Sequence, residues 1–304
     1  MSKIFLSLVL ILSTILTGAC SKAPQQPNEL QYSDAPPDSA IRIYRIAISP
    51  LYNPSKLTKT YQPLIDYLNA RLPDIRIELE ASRDFKSYEH KYLVREPDFL
   101  LLNPWQTLQA MKTGYHVIAM AGDATDFKGL FIVRKDSNIK TPADLKGQIV
   151  SYPSSTALAA AIMPQYYLHT HGINVNTDIK NNYVGSHDSA IMNVYLQQSA
   201  AGGTYPPPWR LFQKEFPNEA SQLKIIWETP PLINTSVMVR DDIPAALRDR
   251  VKRILLNMNS TPDGKALLVK MDKGLFYPAD DASYHKVQEY IDRFEREVRP
   301  VGHQ

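Results

Sequence analysis

Cysteine is almost absent from this chain: Cys20 stands alone among 304 residues. A disulfide framework is excluded, because an exported protein carries paired cysteines or none. Apolar runs long enough to span a membrane are also missing. So is an excess of charge: 34 basic and 31 acidic residues leave a net charge of +3, evenly scattered. That balance excludes the basic stripe a nucleic-acid partner would require. Catalytic signatures are scarce. No Gly-x-Ser-x-Gly elbow precedes a helix. His169-x-His171 has no carboxylate or cysteine companion at metal-ligand spacing. Ser154, His187 and Asp188 supply the residue types of a hydrolase triad, but Asp188 adjoins His187 and points elsewhere on the same helix. No enzyme, metal or cofactor is expected.

What the N-terminus does contain is a signal. Lys3 precedes an apolar run from Ile4 to Leu16, the length of a signal-peptide core and too short to cross about 30 Å of hydrocarbon. Leu16-Thr17-Gly18-Ala19-Cys20 follows and resembles the bacterial lipobox, in which small residues admit the backbone to a signal peptidase. The one cysteine of the chain sits at the cleavage point, and lipidation accounts for it. Residues 1–19 are therefore expected to be a signal peptide. Residues 20–40, with Pro24, Pro27, Pro36 and Pro37 among polar residues, are expected to be a lipidated N-terminus and disordered tether. Fatty-acyl chains of the palmitate type contribute about 0.8 kcal/mol per buried CH₂, so such a terminus attaches the protein to a membrane through lipid alone. The expected location is the cell envelope, on the periplasmic face of the inner or outer membrane; Ser21 in place of Asp does not force inner-membrane retention.

From residue 41 onward strand-like and helix-like segments alternate, which predicts α/β layers. Ile41, Ile43, Ile46 and Ile48 mark a first strand that ends in Ser49-Pro50-Leu51-Tyr52. Tyr61, Leu64, Ile65, Leu68 and Leu72 repeat at helical spacing. Phe85, Tyr88 and Tyr92 predict a helix capped by Asp84, and Phe99–Leu102 reads as a strand buried on both faces. Asn103-Pro104 starts another helix. A second series begins near Gly129. It includes a capped helix start at Thr141–Asp144, a strand at Gln148–Tyr152 feeding Ser154-Ser155-Thr156 and an Ala-rich helix over Ala157–Leu168, and a strand at Asn182–Val184 feeding Gly185-Ser186-His187-Asp188. A late strand at Ser236–Val239 predicts that the chain crosses twice between two lobes, 41–127 plus 237–304 and 128–236, with a ligand cleft between them.

The hydroxyls of Ser154, Ser155 and Thr156 and the free backbone N–H groups converge where a strand turns into a helix. Such an end carries about half a positive charge and unmatched donors, which suit an anion. His187 opens the next helix, where a ring N–H can donate to the same anion. An isolated Ser or Thr at such a position is commonly just an N-cap; three hydroxyls before one helix and Ser186-His187 before the next favour a binding site.

These two turns, together with Lys140-Thr141-Pro142-Ala143-Asp144-Leu145-Lys146-Gly147 and Trp227-Glu228-Thr229-Pro230-Pro231, resemble the type II periplasmic solute-binding proteins. Within these, the chain is most similar to the phosphonate/phosphite/phosphate-binding family of ABC transporters. The resemblance implies an α/β, two-lobed type II periplasmic-binding-protein fold, with two open sheets flanked by helices and a double hinge crossing. It implies a small anionic solute as ligand and an ABC permease as partner, or alternatively a membrane sensor of the kinase or cyclase kind, and a monomer. It also implies that Tyr52, Asn103 and Trp105, at strand ends of the first lobe, cover the ligand held by Ser154, Ser155, Thr156, Ser186 and His187. One stretch departs from the family. Where many relatives carry an acidic residue that binds a ligand amine, this chain has Ala200-Ala201-Gly202-Gly203-Thr204-Tyr205, so that Thr204 and Tyr205 are left to face the cleft and a simple oxyanion is favoured.

Overall fold

The computed structural model describes residues 41–271 and 274–302; the signal peptide, Cys20 and the tether lie outside the described residues. Among the described residues no helix is long and apolar enough to cross a membrane.

The first sheet is seeded by strands β1 (Arg42–Ile48), β2 (Ile75–Glu80) and β3 (Phe99–Leu102), paired in parallel in the order β2-β1-β3. Helices α1 (Pro54–Asn69) and α2 (Phe85–Leu93) make the crossovers. The stripe read from the sequence is the buried face of α1: Tyr61, Leu64, Ile65 and Leu68 all pack inward. Asp84 caps α2 by accepting the Ser87 N–H at 2.8 Å. In β1 the inward set is Tyr44, Ile46 and Ile48, whereas Ile41 and Ile43 are exposed. Period-two alternation allows one parity at the core, and burying the Tyr44 ring turns Ile43 outward. Helix α3 (Pro104–Met111) leads to β4 (Tyr115–Ala121), and the chain then leaves this sheet.

The second sheet repeats the plan. Strands β5 (Leu130–Arg134), β6 (Ile149–Tyr152), β7 (Lys180–Tyr183), β8 (Ala201–Thr204) and β9 (Leu223–Glu228) take the order β7-β6-β8-β5-β9, with β7, β6 and β8 parallel and β5 antiparallel to both its neighbours. Helices α4 (Met163–Thr170), α5 (His187–Tyr195), α6 (Pro206–Glu215) and α7 (Pro217–Ala220) cover it. The return strand β10 (Thr235–Arg240) inserts antiparallel between β3 and β4. Helices α8 (Ala245–Leu256), α9 (Pro262–Met271) and α10 (His285–Glu297), with the short strand β11 (Phe276–Tyr277) beside β4, complete the first lobe.

The two crossing segments run side by side. Leu232 N donates to Phe127 O at 2.9 Å, Gly129 N to Thr229 Oγ1 at 2.8 Å, and Asn234 Nδ2 to Asp123 O at 2.7 Å. A further connection was not apparent in the sequence. Beyond α10, residues 298–302 lie against the second lobe: Asn176 Nδ2 donates to Val298 O at 2.8 Å, and Arg299, 4% exposed, reaches Gln165 Oε1 and Ser155 O, each at 2.9 Å.

Two predicted helices are shorter or differently wound than their sequences suggested. Thr141–Asp144 has the expected capping box but forms only a 3-10 turn, Pro142–Leu145, stopped by Gly147 at φ +77°. The Ala-rich segment begins as a wide π-type turn over Leu158–Ile162 before α4. Pro164 accounts for this, because it offers no N–H to the Ala160 carbonyl and its ring pushes that carbonyl aside.

Candidate functional site

The parallel strands of both sheets end on a common cleft, as is usual for ligand sites of open α/β sheets. β1 delivers Ser49 and Leu51, β3 delivers Asn103, β6 delivers Ala157–Ala160, β7 delivers His187, and β8 delivers Tyr205. With Phe85, Phe127 and Thr235 these residues line a small, narrow cavity. A larger groove, lined by Arg134, Gln148, Gln197 and Ser199, opens at the opposite end of the second sheet, where Arg134 is already held by Asp136 at 2.8 Å.

The first-lobe wall is a pre-built polar network. Asn103 caps α3 in a reciprocal box with Gln106, accepting the Gln106 N–H at 3.1 Å. Gln106 is fully buried; its Oε1 accepts from Ser49 Oγ at 2.9 Å, and its Nε2 donates to Glu89 Oε1 at 3.1 Å. Glu89 in turn accepts the Thr156 hydroxyl of the opposite lobe at 2.7 Å, and Asn103 Nδ2 donates to Thr156 O at 3.4 Å. Burying a carboxylate is costly unless it is hydrogen-bonded, and here donors from both lobes meet on it.

The second-lobe wall is a helix start with His187 and Tyr205 beside it. Three of the four residues at Ala157–Ala160 are alanines; the Ala157 N–H donates to Ser154 O at 3.2 Å, and the N–H groups that follow lie in a first turn, which has no acceptors of its own helix to offer them. Small residues also set the position of this turn. A Cβ on Gly129 would meet the Ala159 carbonyl at 2.8 Å, and one on Gly203 would overlap the Ala160 carbonyl, so β5 and β8 can press against the helix start only as glycine. His187 is 2% exposed; its Nδ1 shares a 3.1 Å hydrogen bond with Thr204 Oγ1, and its ring lies 5.1 Å from that of Tyr205.

Of the residues expected from sequence, Asn103, His187 and Tyr205 line the cavity. Thr204 stands behind His187 as its hydrogen-bond partner. The Ser-Ser-Thr turn is where the sequence placed it, but its hydroxyls face protein groups. Ser154 pairs with Thr156 at 3.0 Å, Thr156 binds Glu89, and Ser155 donates to Gly302 O at 2.6 Å. Ser186 caps α5 by accepting the Ser189 N–H at 3.1 Å. Trp105 is buried in the first-lobe core. Tyr52 is buried beneath the Lys56 ammonium, which sits 4.6 Å above its ring, and burial holds its phenol well above the usual range. A Ser-His-Asp triad is not assembled, since His187 Nδ1 engages Thr204 and Asp188 engages Lys56 at 2.6 Å. Burial raises the Asp188 carboxyl above its ordinary pKa, while Lys56 pulls against that shift. Glu89, Gln106 and Lys56 were not anticipated as site residues. A signal for Glu89 existed: it shares the 85, 88, 89, 92 face of α2 with three aromatic residues, an inward position for an acid.

Two sheets joined by paired crossings, with a cleft at the strand ends, define a type II periplasmic-binding-protein fold. Solved structures superpose on it. PhnD1 from Prochlorococcus marinus (MIT 9301), in complex with methylphosphonate, has a TM-score of 0.75 and 21% identity over 84% of this chain and 99% of that one. A binding protein component of an ABC phosphonate transporter from Pseudomonas aeruginosa gives 0.78 and 15%, over 84% and 88% of the two chains. The chain belongs to the periplasmic substrate-binding proteins of phosphonate ABC transporters, whose family model matches residues 46–284. It is similar to the probable ABC transporter phosphite binding protein PhnD1 of Prochlorococcus marinus, at 25% identity over 186 residues, 57% of this chain and 63% of that protein. To the phosphonates-binding periplasmic protein of Escherichia coli K12 it is 22% identical, over 53% of this chain and 49% of that protein. It thus spans less than two thirds of the length of these curated relatives.

Proposed function

We propose that the protein captures a small tetrahedral oxyanion of the phosphonate, phosphite or phosphate type between its lobes and presents it to an ABC permease. The observation that carries this reading is the Ala157–Ala160 turn, a helix start whose residues line a cavity between the lobes together with Ser49, Asn103 and His187. Peptide N–H groups at a helix start bind oxyanions without a lysine or arginine. His187, oriented through Nδ1 by Thr204, adds a ring donor. The protein is read as a carrier and not an enzyme.

Capture requires closure, and the moving bodies are taken to be 41–127 with 237–304 against 128–236, hinged at the paired crossing segments. Lipid on Cys20, after removal of residues 1–19, would keep the module on the periplasmic face of its membrane. Replacing Cys20 by Ala should release the protein from membranes; unchanged retention would refute the anchor.

The site is tested by calorimetric titration of methylphosphonate and phosphite. His187→Ala, which removes a lining donor, and Thr156→Val, which takes from Glu89 its donor across the lobes, should each weaken binding by about tenfold or more, roughly 1.4 kcal/mol. Unchanged affinity in both variants would move the site elsewhere.

A further inference from the structure

Leu51 and His187 line the cavity, and their chain neighbours Tyr52 and Asp188 meet around a single cation beside it. Lys56, in the first turn of α1, reaches across the cleft. Its Nζ lies 2.6 Å from Asp188 Oδ2 and 2.6 Å from Glu215 Oε2, and 4.6 Å above the Tyr52 ring. Asp188 opens α5 and Glu215 closes α6, so both carboxylates belong to the second lobe. The lysine head is largely buried, at 13% exposure. Two carboxylates and one aromatic face form the constellation that holds a primary alkylammonium. Asp188 Oδ1 is buried with no hydrogen-bond partner, so the cage retains an unused acceptor.

A ligand carrying both an oxyanion and an amine needs this pairing: donors for the anion and, a few ångströms away, carboxylates for the ammonium. Here no carboxylate is among the residues that line the cavity, Glu89 behind them is engaged by Gln106 and Thr156, and the nearby pair is already neutralised from within the chain. We infer that Lys56 is a built-in substitute for a ligand ammonium, occupying its cage and restricting the cleft to tetrahedral oxyanions that carry no amine. This rests on the oxyanion reading above and narrows it to ligands such as phosphite and methylphosphonate. Removing Lys56 would leave two carboxylates beside the anion pocket. They would repel a simple oxyanion and attract an aminoalkyl one.

The test uses the full chain as wild type, Lys56→Ala, and the double variant Asp188→Asn, Glu215→Gln. First, ethylammonium is added and the melting temperature followed. Lys56→Ala should be stabilised and the wild type should not respond. Second, methylphosphonate and 2-aminoethylphosphonate are titrated into each protein. The affinity ratio should shift toward the amino ligand by about tenfold or more in Lys56→Ala. In the double variant, which keeps the lysine and loses the cage charges, it should shift away. A Lys56→Ala protein that melts cooperatively, ignores ethylammonium and keeps the wild-type ratio would overturn the inference. So would an unchanged ratio in the double variant, a result that stands even if Lys56→Ala fails to fold. Ethylammonium rescue without binding of either phosphonate to any variant would uphold the cage but overturn the oxyanion reading, and the selection with it.

Discussion

The two lobes share a strand plan but are built from different material. The first has a single large core that runs from Tyr44 to Phe294 and fully buries the rings of Tyr61, Tyr88, Tyr115 and Tyr284. The second divides its apolar residues between two smaller clusters, one on each face of a sheet whose β6, β7 and β8 are four residues long. One of those strands is Ala-Gly-Gly-Thr. The cavity walls differ in the same sense: the first lobe offers side chains held in a network, the second a helix start held by glycine contacts. Small residues let helix and sheet approach closely, at the expense of buried apolar area. The second lobe makes up for this at the seam, where Leu158, Ala159, Ile162, Met163 and Tyr205 pack into the first-lobe core.

Four substitutions probe this difference, in descending order of expected effect. Arg299→Ala removes the guanidinium that binds Ser155 O and Gln165 Oε1. Leaving two buried acceptors unmatched should cost about 3 kcal/mol in urea unfolding. A loss below about 1 kcal/mol would mean that the C-terminal segment does not brace the second lobe. Gly203→Ala puts a methyl group onto the Ala160 carbonyl and should cost about 2 kcal/mol while also weakening ligand binding, because the displaced turn lines the cavity. The volume-conserving Leu101→Met in the first-lobe core should cost less than about 1.5 kcal/mol and leave affinity unchanged. Equal effects of the two on binding would break the comparison. Asp84→Ala removes the α2 cap and should cost about 1 kcal/mol. The hydrogen bond from the Ser87 N–H holds this carboxyl down at about 2, below the value of about 3.9 for an unfolded Asp. Its contribution is therefore complete above about pH 4 and is lost as the pH falls toward 2, so the variant and the wild type should converge in acid.

Local patterns carried much of the fold in the sequence itself. The Tyr61–Leu68 stripe, the Asp84 and Asn103 caps and the buried Phe99–Leu102 strand all depend on neighbours within a few residues. What depends on distant partners was not legible. β8 has one strand-forming side chain, Thr204, and is held where α5 and the Ala160 turn pack against its glycines. The Ser-Ser-Thr motif leads into the turn that lines the cavity, yet its hydroxyls are taken up by Glu89 and Gly302, residues 67 and 147 positions away. Nothing local marks Lys56, whose partner Asp188 lies 132 positions on. The return of residues 298–302 to the second lobe had no local signature either.

The central claim is that the cleft closes on a tetrahedral oxyanion, and melting of the full chain with a panel of such ions tests it most directly. Phosphate, phosphite and methylphosphonate are compared with chloride and acetate at equal ionic strength. A ligand present at a hundred times its Kd adds about 2.7 kcal/mol, enough for a clear rise in Tm. The account predicts that rise for phosphite or methylphosphonate, and its reduction in His187→Ala. A panel in which no tetrahedral oxyanion moves the melting temperature would contradict it.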